Sequence, residues 1–139
     1  LAGVQLELGD TATDFEHRLF GDELARCQRY YFQETTTPAD ASGILGVASG
    51  AAAVVFNQTL PVQMRANPSV SLTSTNLRIG DMVAAGFTTT SGTIAIGTFS
   101  GSTSVTYTLG GFSGLTSYRS YLSEPDATST GLVKSDAEL

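Results

Sequence analysis

The sequence predicts an all-β fold, mainly an antiparallel β-sandwich with one short N-terminal helical turn. Three observations carry that expectation. Runs of alternating apolar and polar residues recur along the chain, the period-two signature of strands with one dry face. Glycine- and serine-marked turns divide these runs at intervals of roughly 8 to 12 residues. No amphipathic helix of ordinary length is visible, so sheets must cover one another to build a core.

Val4 to Leu8 alternates Val, Gln, Leu, Glu, Leu and predicts a first short strand. Gly9 to Asp14 supplies turn residues, and Phe15 and Phe20 are isolated apolar points expected to pin this lead-in, residues 1–20, to a domain spanning 21–139. Asp22 is suited to cap a helical turn over Asp22 to Gln28, because a carboxylate accepts the unpaired amide protons there. From Arg29 the residues turn aromatic and predict a strand through Gln33. Glu34 to Ser42 is polar, contains proline and reads as a loop. Strands follow at Ile44 to Val47 and Ala51 to Phe56, the second so continuously apolar that burial on both faces is expected. Pro61 and Pro68 bracket a short piece, Val62 to Arg65, and belong at strand starts or edges. Val70 and Leu72 alternate with polar residues. Further strands are expected at Met82 to Thr88, Thr93 to Phe99 and Ser104 to Leu109. Leu109 to Ser123 reads as a flexible glycine-bearing stretch, Glu124 to Gly131 as a polar loop, and Leu132 to Leu139 as a closing strand. We expect Leu132 to Glu138 to lie beside the Arg29 to Gln33 strand and close the domain.

Four segments carry a resemblance. Val4-Gln5-Leu6-Glu7-Leu8-Gly9 with Ala12-Thr13-Asp14-Phe15-Glu16, then Glu23-Leu24-Ala25-Arg26-Cys27-Gln28-Arg29-Tyr30-Tyr31, then Leu60 to Val70 (LPVQMRANPSV), and finally Ser135-Asp136-Ala137-Glu138-Leu139 recur in this order. Together they resemble the C-terminal domains of tailed-bacteriophage tail-fibre and virion structural proteins. The likeness covers the first third, part of the middle and the last residues; Thr73 to Gly131 lies outside it, and Asp14 stands where that family usually has proline. The resemblance implies a virion protein located outside the host cell. It further implies a homotrimer that contacts other virion or tail proteins and attaches to the host surface, with glycan as the expected receptor. A purely structural module that trimerises and caps the fibre is the alternative, and a glycan depolymerase a second one. The start at leucine leads us to expect the C-terminal part of a longer protein.

Bulk properties narrow the classes. The chain has 139 residues, a length at which one core is the default. Seven Lys and Arg against 13 Asp and Glu give a net charge of −6, which argues against gripping nucleic-acid phosphates. One cysteine and one histidine supply neither an internal disulfide nor a zinc set. No apolar run reaches the roughly 18 to 20 residues of a membrane-spanning helix, so no membrane insertion is expected. The six carboxylates between Glu7 and Glu23 read as a solvated face; calcium would suit them were an ion bound. Charged residues are only 14% of the chain against 41% hydrophobic, so few surface charges oppose self-association.

Catalytic chemistry finds little support. His17 has no serine or thiol near it in sequence, no phosphate-cradling glycine loop occurs, and we expect no enzyme, no cofactor and no metal site. Cys27 is expected to be buried and inert. Tyr30 and Tyr31 should point to opposite faces of a strand, one into the core and the other at a subunit contact. Tyr118, Arg119 and Tyr121 form the candidate glycan-binding group, since aromatic faces stack on sugar rings and arginine offers a hydrogen-bonding fork. The alternative for that stretch is an ordinary strand or turn pinned by tyrosine.

Overall fold

A computed structural model describes residues 5–11, 13–15, 17–36, 44–72, 77–81, 83, 86–89, 93–97, 100–124 and 131–137. One helix, α1 (Phe20–Gln28), precedes ten strands: β1 (Tyr31–Thr36), β2 (Leu45–Ala48), β3 (Ala53–Thr59), β4 (Ser69–Leu72), β5 (Leu77–Asp81), β6 (Gly86–Thr89), β7 (Thr93–Ile96), β8 (Ser104–Gly110), β9 (Ser120–Glu124) and β10 (Gly131–Asp136). They form two antiparallel sheets, one ordered β1-β10-β4 and the other β6-β5-β9-β2-β3-β8-β7. The fold is the all-β sandwich that the alternating runs predict. No helix among the described residues is long and apolar enough to cross a membrane.

The core lies between the sheets. Val54 and Phe56 from β3, Val105, Tyr107 and Leu109 from β8, Ile79 from β5 and Tyr121 from β9 line the inner face of the large sheet. Phe32, Val70, Leu72 and Val133 of the small sheet pack against them. Phe56 and Tyr107 are register partners, and their rings stack at 5.6 Å with 19° between planes. One polar bridge crosses the core: the buried amide of Gln58 on β3 donates to the Glu34 carboxylate on β1. Burial, and then the nearby Glu34 charge, push the Tyr107 phenol upward.

The closing pair is present: Tyr31 to Thr36 of β1 run antiparallel to Asp136 to Gly131 of β10. Other elements differ from expectation. Alternation at Val4 to Leu8 makes no strand among its described residues, because no neighbouring strand pairs with it. Instead the lead-in is clipped by Glu7, whose carboxylate accepts the Thr13 backbone N–H at 2.7 Å and the Thr13 hydroxyl. Leu6 and Leu8 stand fully exposed, and Phe15 and Phe20 do not pin the segment to the body. Asp22 is not the cap. Leu19 holds that position without a side-chain bond, and Asp22 and Glu23 favour the first turn through its dipole.

Val62 to Arg65 forms no strand; there Met64 is buried and its N–H donates to Ser102. Pro68 immediately precedes β4, as its missing donor requires. The run expected at Met82 to Thr88 is broken, since β5 ends at Asp81 and β6 begins at Gly86. β1 extends into the expected loop as far as Thr36, and the rest of that loop, residues 37–43, lies outside the described residues, as do 125–130. β3 is buried on one face only. Leu45, Val47 and Val55 form part of its sheet's outer surface, which no second layer among the described residues covers.

Candidate functional site

The segment between β8 and β9 holds Tyr118 and Arg119, two of the three residues expected to contact ligand, and the third, Tyr121, lies in β9 within the core. Its glycines do not make it loose. Gly111 and Gly114 adopt φ of 95° and 78°, the left-handed region that favours glycine, and let the chain fold back over the β2–β3 turn. Phe112 and Leu115 are buried anchors, with their N–H groups donating to the carbonyls of Ala52 and Ala51. This fastened loop then reaches Tyr118.

Tyr118 is 88% exposed and has φ of +64°, the only described non-glycine residue with positive φ. A bulky residue held there carries strain of order 1–3 kcal/mol, which persists only where surrounding contacts over-determine it. The contacts are explicit. The Tyr118 N–H donates to the Ala48 carbonyl at 2.8 Å, the Ala48 N–H donates to the Arg119 carbonyl at 2.9 Å, and the Arg119 N–H donates to Thr116 at 3.2 Å. Arg119 is fixed from the side by an ion pair to Asp81 at 2.9 Å, and Asp81 also accepts the Val83 N–H at 3.2 Å.

Tyr121 is a correction. It is 1% exposed, within the core, and its hydroxyl accepts the Thr116 N–H at 2.9 Å. Spacing i, i+3 aligns two rings only in a helix. Here β9 begins at Ser120, so strand alternation turns Tyr121 inward, opposite Gly46 on β2. No sugar can stack on it.

The tyrosines at the other end also depart from expectation. Neither Tyr30 nor Tyr31 is core; Phe32 takes the inner face. Tyr30 lies in the turn before β1 beneath the Arg65 guanidinium, 5.4 Å from its ring centre. The half-exposed Tyr31 donates its hydroxyl to Gln33. Cys27 is exposed rather than buried, because α1 sits against the end of the sandwich and buries no side chain. His17 meets Phe15 edge-on at 5.0 Å. No group of three or more metal-ligating side chains converges among the described residues.

Asp81 and Ala48 escape a reading of the sequence because each acts on a partner distant along the chain. A second missed feature had a readable signal: Arg18, Arg26, Arg29 and Arg65 are four of only seven cations and fall in two short segments. The chain matches no family model, no curated protein and no solved structure in the comparisons made. Fold and geometry therefore define a class alone: an all-β sandwich with a strained, exposed tyrosine at one end.

Proposed function

We propose that this chain is a non-enzymatic, homotrimeric module of a phage tail fibre that attaches to host-surface glycan through Tyr118 and Arg119. The observation that carries the reading is axial. β3 and β8 run side by side for seven residues, a span of about 20 Å. At the Ala53 and Gly110 end sits the fastened loop with Tyr118. The opposite end, at Thr59 and Ser104, carries α1 and the lead-in, tied on through the Arg65 N–H to the Arg29 carbonyl and the Ala137 N–H to the Tyr30 carbonyl. That separation of the lead-in from the exposed tyrosine supports a reading in which one end mounts the module and the other meets the host.

Self-association is supported by exposed apolar side chains that the described residues leave uncovered. Leu19, Phe20 and Leu24 on and beside α1, and Leu45 and Val47 on the outer sheet face, are all exposed. Three displayed tyrosines would raise apparent affinity by effective concentration.

A second reading, a structural module that trimerises and caps without touching the host, is favoured by one finding: Tyr121 is core, so a single ring remains for stacking. Adsorption of the purified domain to host cells separates the two. Attachment that is lost in Tyr118→Ala, with scattering mass and melting unchanged, supports the first reading; wild-type domain that never adsorbs supports the second. Release of reducing ends from surface polysaccharide would mark a depolymerase and overturn both.

A further inference from the structure

The end of the sandwich that bears the lead-in carries two adjoining hollows of opposite character. One is lined by Arg18, Arg26, Arg29, Cys27 and Tyr30, with Arg65 held over the Tyr30 ring. The other is lined by Glu7, Asp14, Leu6 and Phe15 of the lead-in. Arg18 and Glu23, paired at 2.8 Å, line both hollows and so form the wall between them. No carboxylate among the described residues pairs with Arg26, Arg29 or Arg65. Asp10 and Asp14 are exposed in turn, and Leu6 and Leu8 beside them are 99% and 106% exposed.

Arg26 and Arg29 line the hollow and Arg65 stands beside it over Tyr30, so a local positive field is set up on a chain whose net charge is −6. Arg26 gains something from the C-terminal end of the α1 dipole. Arg65 does not, since it arrives from the segment between β3 and β4. The chain itself offers the complement: an acidic, leucine-bearing lead-in that finds no surface of its own to cover.

We infer that the hollow lined by Arg26 and Arg29, with Arg65 beside it over the Tyr30 ring, receives the acidic lead-in of a neighbouring copy of this chain. Because the two hollows lie side by side and are not self-matching, each copy presents its basic hollow to one neighbour and its lead-in to the other. Such a heterologous contact closes into a ring when the rotation permits. Leu6 and Leu8 of the incoming segment then lose solvent against Leu24 and Tyr30, and the carboxylates at 10 and 14 meet the guanidinium forks. This inference rests on the homotrimer reading and names the surface that would build it.

Charge reversal tests it on the full chain by light-scattering mass over a dilution series. Arg26→Glu with Arg29→Glu, and separately Asp10→Lys with Asp14→Lys, should each raise the midpoint concentration of assembly by about tenfold or more, and the four changes together should restore it in large part. Asp14→Cys adds a geometric arm. The introduced thiol should bridge to Cys27 of the next copy under mild oxidation and give covalent trimers on a non-reducing gel, which Cys27→Ser abolishes. Should a reversal variant fail to fold, as circular dichroism would report, wild-type assembly must still weaken between low salt and about 0.5 M NaCl. Wild type that assembles while no charge variant or salt changes its midpoint overturns the inference and leaves the trimer standing. Wild type that remains a single chain overturns both. Bridges formed only within one chain also overturn the inference.

Discussion

The Arg119 guanidinium meets the Asp81 carboxylate at 2.9 Å, and the two ends differ in solvent: the Asp81 side chain is 7% exposed, that of Arg119 40%. The pair joins the end of β5 to the turn before β9. Arg119→Ala removes the cation facing a nearly dry carboxylate, whereas Asp81→Asn leaves an amide that can still accept the Val83 N–H. We expect the arginine variant to lose about 1–2 kcal/mol in urea unfolding and the asparagine variant less. Equal losses would mean that the pair contributes only through packing.

Tyr118→Gly should raise stability and end attachment in one step. Glycine adopts the left-handed conformation without a Cβ penalty, so relief of about 1 kcal/mol is expected. Urea midpoints and cell adsorption measured on the same preparation check both halves. A glycine variant that is less stable than wild type would show that the exposed ring has a structural role.

Tyr121→Phe should leave attachment intact while costing about 0.5–1.5 kcal/mol, because the Thr116 N–H loses its acceptor. Tyr121→Ala, which empties a core position, should cost about 3–5 kcal/mol. Thermal melts rank the two.

Gly46 on β2 faces the core across from Phe56. A Cβ there would come within 2.6 Å of Val54 Cγ1 and 2.8 Å of the Phe56 ring, both packed side chains with little room to retreat. Gly46→Ala is expected to destabilise by about 1–3 kcal/mol through overpacking. A neutral result in chemical denaturation would mean that the β2–β3 pair can slide.

Tyr107 links stability to alkaline pH. Its phenol is raised above the ordinary value of 10.0, first by burial and then by Glu34, so the folded state holds the proton more tightly than the unfolded chain. The contribution is complete below pH 10 and falls away as pH rises beyond it, where the unfolded phenol ionises and the folded one does not. Tyr107→Phe should flatten that alkaline loss, read as melting temperature against pH.

Some of this was legible from residue order alone. Alternation in Ser104 to Leu109 and in the closing segment, with glycines between the runs, determined an all-β chain, and the aromatic run after Arg29 was correctly placed beside the last strand. Period two requires that neighbouring side chains point to opposite faces. It does not say which face another layer will cover.

That choice belonged to the tertiary structure. Tyr121 went inward because β9 pairs with β2 in the register that sets it opposite Gly46, whose neighbours Leu45 and Val47 face outward. Cys27 stayed in solvent because α1 lies at the end of the sandwich rather than on a sheet. β5 and β9 exist as strands because each pairs with the other and with a further neighbour, a cooperation between segments that no local pattern contains. The strain at Tyr118 likewise comes from outside its own segment: Ala48 and Asp81, fixed by other strands, hold it and Arg119 at the exposed end of the fold.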